Sequence, residues 1–269
     1  MFCTWSSFDC GQRQAAWRSL VFACLVLAPY AIGRPAPTEV PAPPANDVMG
    51  VDREFAQFAL DAGIRAAYER YLAADAVVFR PLPVKAKEWL ETHEPATGRL
   101  EWSPASALTA CDASLAVTLG TWSYTARDSK ASDTGYYLTA WHRGEEGDWR
   151  IVLDQALSLP GLPALPAASS SCTGTPAVAD ELRSADRKIN SSLRNLRVDS
   201  QPAIAVRAET MGTVTGSAQA DLALTHGELI DRKAARGTQP RVRAVYVRLW
   251  QRQGRAWRLL QDFTAAVTP

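Results

Sequence analysis

The chain has 269 residues, enough for one large domain or two small ones, and with 47% hydrophobic and 21% charged residues it has the composition of a globular rather than a disordered protein. Its formal net charge is +1, and loss of a leader carrying Asp9, Arg13 and Arg18 leaves the remainder close to neutral. A near-neutral chain has no basic stripe to meet a phosphate backbone, which excludes nucleic acid as an expected partner.

Residues 1–33 read as an export signal. Arg13 and Arg18 precede the apolar run Leu20 to Ile32, and Ala31, Ile32 and Gly33 place small residues where a signal peptidase needs them. The run is shorter than the about 20 residues that cross a bilayer, so no stable membrane span is expected and the mature chain is placed in the periplasm or outside the cell. Two alternatives are a lipoprotein box at Ala23 and Cys24, weakened by bulky Phe22, and an uncleaved anchor. Residues 34–50 follow as a tether whose proline-rich part, RPAPTEVPAPPAN, is stiff and too polar to fold. Cleavage removes Cys3, Cys10 and Cys24. Cys111 and Cys172 then either pair in an oxidising compartment or stay as a buried and an exposed thiol.

A first domain is read over residues 51–158. VDREFAQFALDAGIRAAYERYLA carries apolar residues at three-and-four spacing, Phe55, Phe58, Ala59, then Ile64, Ala67, Tyr68, Tyr71 and Leu72, interrupted at Gly63. That predicts a helical hairpin or a bent helix. A strand is predicted over Asp75–Arg80 and a short helix over Val84–Leu90. Strands then follow over Leu100–Ser103, Leu115–Ala126, Gly135–Arg143 and Trp149–Leu157.

This is an α+β order in which a curved antiparallel sheet wraps around N-terminal helices. On REFAQFALDAGIRAAYERYLAADAVVF, GTWSY and GYYLTAWHRGEEGDWRIVLDQ, residues 52–158 resemble the nuclear transport factor 2-like superfamily, in particular its ketosteroid-isomerase-like and SnoaL-like members. The resemblance implies a cone-like fold. It does not imply one activity, because that fold hosts isomerases, dehydratases, epoxide hydrolases, transport factors and association modules.

Residues 159–175 read as a Pro, Ser and Gly-rich linker, and a second domain over 176–269 opens with a helix whose apolar stripe runs Val178, Leu182, Ala185, Ile189, Leu193 and Leu196. Asn190, Ser191 and Ser192 match a glycosylation sequon but read as a solvated helix face. The second domain repeats the first. SLAVTLG (114–120) aligns with DLALTHG (221–227), YYLTAWHR (136–143) with VYVRLWQR (245–252), and Trp149, Arg150 and Asp154 with Trp257, Arg258 and Asp262. The copy is degenerate: the helix at 84–90, Trp102 and Trp122 have no counterparts in it. Sheets of this superfamily commonly pair face to face across a dimer interface, so the expected assembly is an intramolecular pseudo-dimer or a homodimer, with the first copy the one holding any pocket.

Asp154 interrupts an otherwise apolar strand. With strict alternation over Trp149–Leu157 and Trp141 opposite Trp149, Tyr136 falls opposite Asp154, and the pair would suit a general base and an oxyanion donor acting on a small carbonyl compound. The alternative is a structural ion pair of Arg150 with Asp154 and of Arg258 with Asp262, which recurrence of the acid in both copies favours. Trp102, Trp122, Trp141 and Trp149, with Tyr124 and Tyr137 and polar handles from Thr139 and Gln155, are the candidate lining of a pocket for a flat apolar ligand, the alternative being core beneath the helices. His93, His142 and His226 lack metal-ligand spacing, and no phosphate loop or nucleophile elbow occurs, so no metal or cofactor is expected. The chain is therefore expected to bind a small apolar molecule or to serve as an association module. An isomerase or lyase and a purely structural pseudo-dimer are the alternatives.

Overall fold

In a computed structural model the described residues are 47–94, 98–127, 132–157, 161–166, 172, 179–196, 203–216, 219–233 and 238–267. The export signal and the proline-rich run of the tether lie outside them. Helix α1 (Val48–Ala62) starts three residues before the expected boundary at 51, because Asp47 caps it by accepting a hydrogen bond from Gly50 N at 3.0 Å. It ends at Gly63, whose φ of +91° turns the chain into α2 (Ile64–Tyr71). The predicted break is therefore a true junction of two helices.

Strand β1 (Leu72–Phe79) follows directly, earlier than the strand expected at 75–80. The stretch read as a helix from Val84 instead begins as β2 (Pro83–Lys85), where Val84 pairs with Val78, and becomes α3 (Ala86–Thr92) afterwards. Then come β3 (Arg99–Thr109), β4 (Leu115–Thr125), β5 (Ser132–Arg143) and β6 (Trp149–Leu157), with β3 reaching six residues beyond its predicted end at Ser103. The strands form one sheet in the order β2-β1-β6-β5-β4-β3, in which only the β1–β6 pairing is parallel. One face covers the helices, where Phe55, Tyr71, Ala116, Trp141 and Ile151 share a core.

The second half has α4 (Ala179–Ser192), β7 (Asn195–Leu196), β8 (Ile204–Thr215), β9 (Leu222–Asp231), β10 (Val242–Gln253) and β11 (Ala256–Ala266), in the sheet order β11-β10-β9-β8-β7. Among the described residues it has no equivalent of α2, β1, β2 or α3. Helix α4 lies on its sheet through Leu182, Ala223 and Trp250. Asn190 faces inward and donates to Thr210 Oγ1 at 3.0 Å, which corrects its reading as part of a solvated face.

The two sheets are bent at matching places. An extra residue, Ala105, bulges between Pro104 and Ser106 opposite Gly120 and Leu119, and Met211 does the same between Thr210 and Gly212 opposite Gly227 and His226. Val152 bulges in β6 opposite the Ala140–Trp141 step, and Leu260 in β11 opposite the Leu249–Trp250 step. Buried bonds match as well: Trp141 Nε1 donates to Thr118 Oγ1 at 3.0 Å, and Trp250 Nε1 to Thr225 Oγ1 at 2.9 Å.

The faces turned away from the helices meet each other. Val117, Leu138 and Leu153 of the first sheet share one apolar core with Leu224, Val245, Val247 and Phe263 of the second. Cys111 and Cys172 are joined as a disulfide with Cα atoms 5.2 Å apart. Among the described residues no helix is long and apolar enough to cross a membrane.

Candidate ligand-binding site

The Val152 bulge decides what faces the interior of the first cone. Because the extra residue shifts the alternation, Asp154 joins Ile151 on the helix side instead of standing opposite it, while Leu153 and Leu157 turn to the other sheet. Thr139, not Tyr136, lies across from Asp154, and Tyr136 lies across from Leu157 and packs into the inter-sheet core. The expected Asp154–Tyr136 pair is therefore corrected. Thr139 Oγ1 donates to Asp154 Oδ1 at 2.8 Å, and Tyr68 of α2 donates its hydroxyl to Asp154 Oδ2 at 2.8 Å.

The alternative ion pairs are corrected too. Arg150 is exposed and pairs with Asp148, and Asp262 is bound by Arg248 of the neighbouring strand rather than by Arg258.

Asp154 opens onto a half-open cavity of about 270 Å³ between the helices and the concave sheet. Of the predicted lining, Trp102, Trp122, Tyr124, Tyr137 and Thr139 are there, joined by Phe55, Tyr68 and Arg80. Trp141 and Trp149 are not; both are buried in the core on the helix side, Trp141 with its ring centroid 6.1 Å from that of Phe55. Gln155 is not either. It pairs with Leu138 on the inter-sheet side, where its side-chain amide has no hydrogen-bond partner among the described residues.

Arg80, at the end of β1, donates to the Tyr68 hydroxyl at 3.3 Å and to Phe79 O at 2.8 Å, and lies 5.3 Å from the Trp89 ring centroid. Burial alone would disfavour its charge, but Tyr68 and Asp154 outweigh that and raise its pKa. Burial, reinforced by Asp154, pushes the Tyr68 hydroxyl far above the ordinary tyrosine value, so it remains a donor.

Behind the aromatic wall sits Asp52 of α1, fully buried, accepting from Trp102 Nε1 at 3.0 Å and from the Tyr137 hydroxyl at 2.8 Å. Desolvation pushes its carboxyl up to about 6 against the opposing hydrogen bonds from Thr118, Tyr137 and Trp102. Tyr68, Arg80 and Asp52 were not recognised in the sequence. Tyr68 belongs to the apolar stripe of its helix, but Asp52 left a signal: an acid one turn before Phe55, on the face that the stripe assigns to the core.

The second sheet holds a matching acid, Asp186 of α4, but a different neighbour. Arg248, at the position of Thr139, donates from Nη1 to Asp186 Oδ1 at 2.8 Å and from Nε to Asp262 Oδ2 at 2.7 Å. Asp186 also accepts from Thr225 at 2.8 Å and from the Tyr246 hydroxyl at 3.0 Å. Burial would raise its pKa, but the hydrogen bonds from Thr210, Arg248 and Thr225, with the charge of Arg248, bring it below the ordinary value. Among the described residues of either half, no group of three or more His, Cys, Asp or Glu side chains is arranged to hold a metal.

No family model and no curated protein matches the chain. Solved structures similar to part of it include an NTF-2 like protein of unknown function from Shewanella oneidensis, at 15% identity over 40% of this chain and 98% of that one, with a TM-score of 0.33. A Δ5-3-ketosteroid isomerase from Mycobacterium sp. is similar at 11% identity over 41% and 92%, with a TM-score of 0.33. An NTF2-like superfamily protein from Salmonella enterica is similar at 18% identity over 43% and 89%, with a TM-score of 0.32. Each of these likenesses spans roughly two fifths of this chain.

Proposed function

We propose that this is an exported protein of two duplicated domains, 51–158 and 176–269, joined by the linker 159–175, and that the first domain binds a small flat molecule while the second supports it. The cavity beside Asp154 carries this reading, because it combines aromatic walls with a few convergent polar groups, Asp154, Tyr68, Thr139 and Arg80. The matching bulges and the matching Trp–Thr bonds support the duplication. The test is a tryptophan-fluorescence and thermal-shift screen of the chain from Pro35 onward against flat hydrophobic molecules. Trp102 and Trp122 stand in the wall, so an occupant changes their emission and raises the melting temperature. Absence of any hit would leave the structural pseudo-dimer in its place.

One observation favours a second reading, an isomerase or lyase acting on a small carbonyl compound: the Asp154 carboxyl meets the cavity beside the hydroxyl of Tyr68, a base next to a donor. In that case Asp154→Asn abolishes turnover with binding and folding retained. If the variant changes only the melting temperature, Asp154 is a structural residue.

A further inference from the structure

The second sheet contains its own occupant. Arg248 stands across β10–β11 from Asp262 as Thr139 stands across β5–β6 from Asp154. Its fully buried guanidinium bridges Asp186 and Asp262 and lies 4.1 Å from the centroid of the Tyr246 ring. Tyr246 corresponds to Tyr137, Asp262 to Asp154, and Asp186 to Asp52, since each helix acid accepts the hydroxyl of the corresponding tyrosine. The first sheet therefore repeats the acids and the tyrosine that hold the guanidinium, but has a short threonine where the arginine stems, and an open cavity.

We propose that this cavity takes a planar cation, an amidinium or guanidinium group on a flat body, held by Asp154 against the aromatic wall as Arg248 is held in the second sheet. The inference rests on reading the cavity as a ligand site and the two sheets as copies. The local charge agrees with it. Asp154 and Asp133 line the cavity and Asp52 lies just behind Tyr137 and Trp102; among the described residues the one cation in the lining is Arg80, which is already engaged by Phe79 O, Tyr68 and Trp89. A cation stacks on Trp102, Trp122 or Tyr137 and finds its counter-ion at Asp154.

The experiment compares benzamidine with its neutral isostere benzamide and with benzoate, by calorimetric titration and tryptophan fluorescence of the chain from Pro35 onward. Benzamidine is expected to bind at least about tenfold more tightly than benzamide, the difference a charge-assisted hydrogen bond makes. Asp154→Asn is expected to remove that preference. Thr139→Arg, which rebuilds the second sheet's plug, is expected to abolish binding while the protein still melts cooperatively. N-acetyl-arginine amide separates two sources of the same chemistry: tighter binding than benzamidine points to an arginine side chain of a peptide, weaker binding to a free aryl cation. Equal or tighter binding of benzamide overturns the cation proposal and leaves the ligand site standing. Binding of none of these probes overturns the proposal, and only failure of the wider screen of neutral flat molecules as well removes the site. Undiminished benzamidine binding in a folded Thr139→Arg protein overturns the proposed position of the cation.

Discussion

Asp52 and His226 are buried ionisable groups whose effects on stability oppose each other. Asp52 titrates at about 6 in the folded chain against an ordinary 3.8, so the native state holds its proton more tightly and is disfavoured, by about 3 kcal/mol, as pH rises from 4 to 6. His226, packed between the sheets and edge-on to Phe79, is depressed by desolvation from 6.5 to about 4. There the unfolded chain binds the proton more tightly, so the native state gains a comparable amount, about 3 kcal/mol, as pH rises through 4 to 6.5. The contributions of these two groups nearly cancel. Asp52→Asn, whose amide can still face Trp102 and Tyr137 because a tyrosine hydroxyl accepts as well as donates, unmasks the histidine. Urea denaturation of that variant is expected to show stability rising more steeply from pH 4 to 6.5 than that of the parent chain. A parallel pH response in both proteins would refute the elevated pKa.

Bulges place the side chains of the site, and two glycines make room for them. A Cβ at Gly120 would overlap the carbonyl oxygen of Ser103 and the Tyr137 ring, and one at Gly227 the carbonyl of Glu209 and Tyr246. The crowding sits beside the Ala105 and Met211 bulges, where the partner strand bends toward the glycine and the tyrosine lies across it. Gly120→Ala must displace backbone or Tyr137, and is expected to cost about 1–3 kcal/mol by thermal or urea denaturation. The same change moves a cavity wall, so ligand-induced fluorescence change should fall with it. A variant as stable as the parent would mean that the bend is not constrained in this way.

Each sheet covers an apolar face of the other. Val117, Leu119, Leu138, Ala140 and Leu153 are fully buried only because the second sheet lies over them. Separated from it, the first sheet would expose a broad apolar face, which isolated proteins rarely tolerate. Residues 47–158 produced alone are therefore expected to form dimers or larger species in sedimentation velocity, whereas the chain from Pro35 onward is expected to sediment as a monomer. A monomeric, cooperatively folding half would show that the inter-sheet contact is dispensable. The Cys111–Cys172 bond closes a loop across 61 residues and ties a residue beyond the first sheet back to the β3–β4 turn.

The elements and the α+β class were legible because they depend on local periodicity: three-and-four spacing for α1, α2 and α4, and alternation for the long strands. The candidates Trp102, Trp122, Tyr137, Thr139 and Asp154 were likewise found from residue type and strand position, and all line the cavity. What alternation cannot convey is a change of phase. One extra residue at Val152 places Asp154 opposite Thr139, sends Gln155 and Tyr136 to the other face, and makes the acid's tyrosine one that lies 86 positions away in α2. Whether a strand bulges depends on the partner strand and the packing across it, interactions that no short stretch of sequence contains.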